Sequence, residues 1–126
     1  MTDPRQRFGA DGERGAERFL RARGYTILER NYRCRLGEVD LIALDGTTVV
    51  FIEIKTRRAS GAEAALDAVD PRKQRQIARA AEHYLTARRL QERDVRFDVV
   101  GVRPQGADWE CELIQDAFGP DERDGW

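Results

Sequence analysis

The sequence contains few of the residues that build zinc centres, disulfides and cysteine- or histidine-based active sites. It has two cysteines and one histidine in 126 residues. Cys34 and Cys111 match neither a zinc pattern nor a disulfide framework, so we expect two reduced thiols. His83 has no acid or cysteine at metal-ligand spacing, and we assign it a structural role. A glycine-rich phosphate loop, a Ser/His/Asp set and an internal repeat are also absent, which excludes P-loop hydrolases, serine-type hydrolases and repeat proteins.

Long apolar runs are missing as well. No stretch approaches the roughly 20 apolar residues of a membrane-spanning helix. The first residues lack the apolar core of a signal peptide. We therefore expect a cytoplasmic protein with no membrane partner. A hydrophobic fraction of 40% and a charged fraction of 36% are typical of one globular domain with a heavily charged surface.

Lysine is scarce although basic residues are abundant. Of the 22 basic residues 20 are arginines, and the two lysines are Lys55 and Lys73. Lysine is a compact charge that can be repositioned or deprotonated, whereas the guanidinium of arginine is a fixed, permanently charged fork. The sequence nevertheless places Lys55 inside the run 49–55, which is otherwise apolar and β-branched. That run predicts a strand buried on both faces.

Charged side chains interrupt two neighbouring apolar runs, 37–44 and 49–55. In the second run Glu53 and Lys55 share a face, because alternate residues of a strand point to the same side. Buried charges are rare unless they are paired or bind a metal. Asp45-Gly46 lies between the runs and predicts a hairpin. The sequence therefore predicts two paired strands that both carry unusual charges.

The length of the hairpin loop decides which residues face each other. A two-residue loop at Asp45-Gly46 would place Asp40 opposite Phe51. It would also place Glu38 opposite Glu53. A four-residue loop would place Asp40 directly opposite Glu53. In both registers the same four residues share one face of the sheet: Glu38, Asp40, Glu53 and Lys55. A three-residue bulged loop would instead place Asp40 and Glu53 on opposite faces.

Two acids opposed on paired strands repel each other, and burial increases the repulsion. A positive charge must therefore lie between Asp40 and Glu53. Lys55 supplies one such charge. A divalent cation such as Mg²⁺, which accepts one or two carboxylates plus waters, would supply another. The alternative interpretation is a solvated ion pair of Glu53 with Lys55 or an arginine at the end of the strand.

These residues resemble the D…(D/E)-x-K signature of the PD-(D/E)XK nuclease superfamily, with Asp40 first and Glu53-Ile54-Lys55 second. Val39 stands where that signature has proline. From about Gly12 to Phe118, the sequence more closely resembles the YraN family of small bacterial proteins, which is related to archaeal Holliday-junction resolvases. The segments that carry this resemblance are Gly12-Glu13, Gly24-Tyr25, Asn31-Tyr32 and residues 37–43, 51–57 and 96–100.

The resemblance implies a restriction-endonuclease-like α/β fold with a metal-dependent nuclease site. Asp40 and Glu53 would hold Mg²⁺ or Mn²⁺, with the Ile54 carbonyl completing part of the shell. Lys55 would orient the attacking water and offset the developing charge. Glu13 matches the position of a glutamate in resolvases whose side chain points from the first helix into the metal site. The alternative for Glu13 is an acid in a first helical turn that favours the helix dipole.

Three further acids are weaker candidates for the site. Glu17 follows Glu13 by one helical turn, a spacing at which like charges repel slightly. Glu38 shares the acidic face but lies nearer the start of its strand. Asp98 is unusual in an apolar strand, and an ion pair with Arg96 or a helix arginine would explain it.

Charge is distributed unevenly along the chain. Residues 1–93 contain 19 basic and 14 acidic residues, whereas residues 94–126 contain 3 and 9. The basic residues that follow the charged strand would border its exposed end, where they could contact phosphates. A solvated helix face is the alternative interpretation. The residues of this predicted patch are Arg57, Arg58, Arg72, Lys73, Arg75 and Arg79.

The remaining patterns predict the order αβββαββ, a mixed sheet with a helix on each face. The first helix should span residues 12–23 and end at Gly24. Pro71 should begin the second long helix with Asp70 as its N-cap. We interpret residues 1–118 as one PD-(D/E)XK nuclease-like domain and residues 119–126 as an acidic, disordered tail. The other predicted segments are strands at 25–30, 95–102 and 109–114 and a mobile loop at 58–70.

These observations favour a protein that binds branched or single-stranded DNA and cuts it with Mg²⁺ or Mn²⁺. Sequence-specific cutting is not expected, because 126 residues leave little surface for a base-reading element. One alternative is a nucleic-acid-binding module without catalysis that keeps the acids for folding. Another is a protein-interaction adaptor whose basic and acidic halves meet head to tail. A homodimer is a further expected assembly.

Overall fold

The structure, a computed structural model, describes residues 4–56 and 69–119. Arg57 and Arg58, most of the loop expected at 58–70 and the tail from residue 120 lie outside these ranges. Within them the elements follow the predicted order αβββαββ. No helix in these ranges is long and apolar enough to cross a membrane. The elements are α1 Pro4–Ala22, β1 Thr26–Cys34, β2 Gly37–Asp45, β3 Thr48–Thr56, α2 Pro71–Ala87, β4 Val95–Gln105 and β5 Asp108–Phe118.

The strands form one five-stranded sheet in the order β1-β2-β3-β4-β5. Strands β3 and β4 are parallel, and the other neighbours are antiparallel. A parallel pair needs a long crossover connection, and the segment between β3 and β4 contains α2. The two helices pack on opposite faces of the sheet, each over its own apolar cluster. This confirms the restriction-endonuclease-like α/β architecture expected from the sequence.

Strand β3 contributes to both apolar layers. Phe51 packs with Ile77 and Tyr84 of α2, whereas Ile52 packs with Leu20 of α1. Both β3 residues are fully buried, as the continuous apolar run predicted. Glu53 follows them at 4% exposure, so its carboxylate lies in the interior at the end of a core strand.

The ends of the helices agree with the sequence in most respects. Asp70 caps α2 by accepting the Lys73 N–H at 2.8 Å, and Pro71 occupies the first turn. Gly24 follows α1 with a φ of 93°, a conformation open to glycine. The predicted start of the first helix at residue 12 was wrong, because α1 begins at Pro4.

The hairpin predicted at Asp45-Gly46 is confirmed, in the second of the two registers considered. Asp45 remains in the sheet and pairs with Thr48, so that Gly46, with a φ of 62°, and Thr47 form the turn. Leu44 then faces Val49. This is the register of the four-residue-loop alternative. Predicted strand ends were too early: β1 runs to residue 34, β4 to residue 105 and β5 to residue 118.

Close contacts at two glycines fix the helices against the sheet. A Cβ on Gly37 would lie 2.5 Å from the carbonyl oxygen of Gln76, so the backbone of α2 rests directly on the start of β2. A Cβ on Gly12 would lie 2.7 Å from Oγ1 of Thr56, so α1 touches the end of β3. Gly37 begins β2 and Thr56 ends β3, so both helices contact the end of this strand pair that carries Asp40 and Glu53.

Asp98, which pairs with Ile52 in the sheet, lies in a buried polar network that extends to Asp45. Its carboxylate is fully buried and accepts hydrogen bonds from Arg96 Nε at 2.9 Å and Tyr25 Oη at 2.9 Å. The Asp116 N–H donates a third bond at 3.0 Å, and Arg96 also pairs with Asp45 at 2.9 Å. The ion pair predicted for Asp98 with Arg96 is confirmed, and the carboxylate is fully satisfied.

Candidate functional site: a carboxylate pair between two lysines

The ladder between β2 and β3 stops short of Asp40. Paired residues run from Asp45 and Thr48 to Leu41 and Ile52. One residue further on, the Asp40 side chain accepts the Ile54 N–H through Oδ2 at 2.8 Å. A side-chain oxygen therefore takes the place of a backbone acceptor where the strands separate. This bond anchors the Asp40 carboxylate in the fork between the two strands.

The backbone is irregular on the other side of Asp40 as well. The pairing of β1 with β2 includes Arg30 with Leu41 and Tyr32 with Val39 but skips Asn31, which has a φ of 50°. Asparagine tolerates this left-handed conformation better than most residues. Val39 packs on the α2 side and Leu41 on the α1 side, although residues two apart normally share a face. The side chains of β2 therefore change face at Asp40, next to the left-handed backbone of Asn31.

Glu53 lies beside Asp40 and faces two ammonium groups. Its Oε1 is 3.2 Å from Lys55 Nζ and 3.7 Å from Lys73 Nζ. The two lysine side chains are only 21% and 30% exposed. The ion pair between Glu53 and Lys55 is the one expected from their shared face. Lys73 reaches the same carboxylate from the first turn of α2.

The two carboxyl groups share a hydrogen bond, and their pKa values reflect burial and mutual repulsion. Burial first, and then the Asp40 charge, raise the pKa of Glu53 to about 7 against the opposing effect of Lys73 and Lys55. Burial also raises the pKa of Asp40, while the Ile54 N–H, the Lys73 charge and the bond from Glu53 act in the opposite direction. Burial and the repulsion between the two carboxylates therefore favour the protonated form of Glu53 near neutral pH.

Glu13 approaches the pair from the α1 side. It lines a cavity of about 370 Å³ together with Asp40, Asn31 and Ile54. The pKa of Glu13 is raised by burial and then by the charges of Asp40 and Glu38. In the part of the chain that the structure describes, no three acids, histidines or cysteines lie close enough together to hold a metal ion. Glu13 is thus an electrostatic neighbour of the carboxylate pair.

The donor set fits a hydrated cation. Mg²⁺ is usually held by one or two carboxylates and keeps several waters, so Asp40 and Glu53 would supply enough protein oxygens. Because metal ligands must be deprotonated, a cation bound by this pair would have to displace any proton held by Glu53, and its binding should strengthen as pH rises. Mn²⁺ suits the same oxygen ligands.

The residues predicted to bind phosphates do not form one group. Lys73 is drawn toward Glu53, whereas Arg72 is exposed on the first turn of α2. Arg75 lines a separate cavity of about 150 Å³ with Pro71 and Gly119. Arg75 therefore lines a different surface from the one at which Lys73 meets Glu53, and the contact of these residues with phosphates stays a prediction.

The weaker candidates have local partners. Glu17 binds the Arg30 guanidinium through both carboxylate oxygens and lies 2.9 Å from Arg21. Glu38 pairs with Arg33 at 3.1 Å on the surface. The His83 ring contacts the Tyr32 hydroxyl, which agrees with a structural role. Sequence reasoning missed the contribution of Asn31 to the fork; the asparagine in a strand sequence was the available signal.

The chain resembles a known family over most of its length. The family model described as "Uncharacterised protein family UPF0102" matches residues 12–102. A UPF0102 protein of Syntrophus aciditrophicus is 47% identical over 114 residues, which cover 89% of this chain and 88% of the relative. Relatives from Desulfosudis oleivorans and Chlorobium chlorochromatii are 47% and 49% identical, with 94% and 87% of this chain and 94% and 89% of theirs covered. The chain therefore belongs to the UPF0102 family, the YraN family that its sequence resembles.

Proposed function

We propose that this protein is a metal-dependent endonuclease that hydrolyses phosphodiesters in branched or single-stranded DNA during repair or recombination. The observation that carries the proposal is the buried contact between the Asp40 and Glu53 carboxyls, with two lysine ammonium groups beside them. Such an arrangement is costly for folding alone, because burial penalises each charge and the acids repel. Costly charge clusters of this kind are typical of functional sites.

Each residue of the cluster has a distinct part in the proposed reaction. Asp40 and Glu53 would hold Mg²⁺ or Mn²⁺ in the fork. The cation would supply Lewis acidity that polarises a phosphoryl oxygen and lowers the pKa of a water. Lys55, held 3.2 Å from Glu53, would orient the attacking water and offset the negative charge that develops on the phosphorus centre. Lys73, which reaches the same carboxylate from α2, would neutralise the phosphate that enters the site.

A nucleic-acid-binding module without catalysis is the second candidate. It is favoured by the ion pairs that Glu53 already makes with both lysines, since these could keep the cluster neutral without a metal. In that case the acids would serve the fold, and the basic surface would bind phosphates alone.

Cleavage of a DNA panel separates the two candidates. The full chain would be incubated with labelled four-way junctions, flaps, single strands and duplexes in Mg²⁺, in Mn²⁺ and in EDTA. We expect metal-dependent cutting of branched or single-stranded substrates, and none by Asp40→Asn. Lys55→Ala should also abolish cutting while leaving DNA affinity within a few-fold, because the amine acts on the reaction rather than on binding.

The matched control is Arg93→Ala, which removes a charge from an exposed arginine outside the cluster and should cut like the wild type. Binding without cutting by the wild type on every substrate would favour the binding module. Cutting that persists in both Asp40→Asn and Lys55→Ala would come from a contaminating nuclease and would refute the proposed site.

A further inference from the structure

A groove runs along α1 from the carboxylate site. The cavity of about 370 Å³ at Asp40 adjoins a second cavity of about 280 Å³ further along the helix. Both are lined by Arg14, Glu17 and Arg30, so they form one continuous depression, which we call the α1 groove. Each cavity has the size of a small-molecule site. The groove can therefore hold a few extended nucleotides and is too small to enclose a duplex.

The charge of the α1 groove changes along its length. Near the fork it is lined by the carboxylates Glu13 and Asp40. The far end is lined by Arg18 and Arg21 in addition to the three shared residues. Four arginines thus surround a single acid there, whereas three acids and two arginines line the cavity at the fork. This gradient is what a phosphodiester chain needs if its backbone is held by cations and one of its phosphates lies beside a metal.

The arginines are ordered and remain accessible. Glu17 binds Arg30 through both oxygens and holds Arg21 at 2.9 Å. The side chains of these two arginines are nevertheless 55% and 56% exposed. Arg14 pairs with Asp11 and is 64% exposed. An isolated surface ion pair such as that of Arg14 contributes little to stability, so a phosphate could replace it at low cost. The pairing of Glu17 with Arg30 through two oxygens is stronger, but the exposed parts of the Arg21 and Arg30 side chains remain accessible to a phosphate.

We propose that the α1 groove binds a single strand of nucleic acid through its phosphates and leads it to the Asp40 site. The inference rests on the proposed function and adds a location and a substrate form: single-stranded segments such as flaps, ends or junction arms. A positively charged groove that follows the backbone is the general mode of single-strand binding. The basic residues that carry it are Arg14, Arg18, Arg21 and Arg30, none of which belongs to the patch predicted from the sequence.

Fluorescence anisotropy with a labelled oligothymidylate tests the proposal. An oligonucleotide of about twelve nucleotides lies within the length range of single-strand sites. The full chain would be titrated in EDTA at several salt concentrations, so that binding is measured without cutting. The test variant is Arg18→Gln with Arg21→Gln. The control is Arg88→Gln with Arg93→Gln, which also removes two exposed arginines. Arg88 lies at the end of α2 and pairs with Glu29, and Arg93 lies beyond the helix. Melting temperatures would show that both variants fold.

The test variant should bind more weakly, and the control should match the wild type. For single strands each phosphate contact contributes about 0.7 to the salt slope, so losing two should flatten it by roughly 1.4 and weaken binding about tenfold at 200 mM salt. If the wild type binds the oligonucleotide and the test variant keeps its affinity and slope, the groove is wrong although nucleic-acid binding stands. If the wild type binds no nucleic acid, both proposals fail. A polyglutamate peptide that competes as well as the oligonucleotide would assign the groove to acidic protein segments and overturn the inference.

Discussion

Replacing Glu53 by glutamine should stabilise the metal-free protein above neutral pH. The pKa of Glu53 rises from 4.5 to about 7 on folding, chiefly because the carboxylate is buried and secondly because it faces Asp40. Between these two pH values the folded protein holds a proton that the unfolded chain has released. The free energy of unfolding of the wild type should therefore fall as pH rises from about 4.5 to about 7, and should lose no more from this group at higher pH.

The size of the effect follows from the same shift. Each pKa unit corresponds to about 1.4 kcal/mol, so ionisation of Glu53 costs on the order of 3 kcal/mol at pH 8. Glutamine keeps the shape and the hydrogen-bonding capacity of the protonated acid without this cost. Lys55 and Lys73 lose a partner in the variant, but both side chains are partly exposed and water can solvate them. We expect Glu53→Gln to be more stable than the wild type at pH 8 and similar to it at pH 4.5.

Urea denaturation in EDTA at a series of pH values measures the difference directly. Glu110→Gln is the control, since it removes a carboxylate from a surface ion pair with Arg103 and should change stability by no more than about 1 kcal/mol. Added Mg²⁺ should stabilise the wild type at pH 8 by mass action and have less effect on Glu53→Gln. A Glu53→Gln protein that is less stable than the wild type at pH 8 would refute the reasoning, because the lysine ion pairs would then outweigh the cost of burial.

Two further predictions concern the backbone around the fork. Gly37→Ala should cost about 1–3 kcal/mol of stability, since the new Cβ would meet the Gln76 carbonyl oxygen at 2.5 Å. The control is Gly9→Ala in α1, where a Cβ meets nothing and no loss of stability is expected. Equal urea midpoints for the two variants would contradict the close packing of α2. Asn31→Val should cost about 1–2 kcal/mol of stability because a β-branched residue resists a φ of 50°. Asn31→Gly should retain both the stability and the Mg²⁺ response of the wild type. An Asn31→Val protein with the melting temperature of the wild type would show that the left-handed backbone is not required.

The strands were predictable because their patterns are local. The alternation of side chains and the apolar run through Phe51 and Ile52 set the faces of β3 without reference to the rest of the chain. The sequence left the register of the hairpin open, and the reason is tertiary. Asp45-Gly46 is a strong turn signal, yet Asp45 stays in the sheet, where Arg96 of β4 pairs with its carboxylate at 2.9 Å. The residues near position 45 carry no pattern that predicts this long-range ion pair with Arg96.

The basic residues of the α1 groove could not be found from sequence for a similar reason. Arg14, Arg18 and Arg21 look like a solvated helix face, which is the usual role of such residues. Arg30 joins them only because β1 passes alongside α1 and Glu17 binds its guanidinium. Proximity to the Glu53-Ile54-Lys55 strand along the chain pointed instead to the segment after it. The surface that adjoins the Asp40 cavity comes from residues that precede that strand.

Lys73 is the residue whose position changes the interpretation most. Its neighbours in sequence are arginines, so it was assigned with them to phosphate binding. In the fold α2 rests on Gly37 so closely that no Cβ would fit, and its first turn brings Lys73 within 3.7 Å of the Glu53 carboxylate. The two lysines of the chain therefore meet at one buried acid. A guanidinium there would be a broad, planar fork, whereas an ammonium is a compact charge that fits beside one carboxylate oxygen. The scarcity of lysine was thus a signal for both residues, and only the packing of α2 on β2 connects the second one to the site.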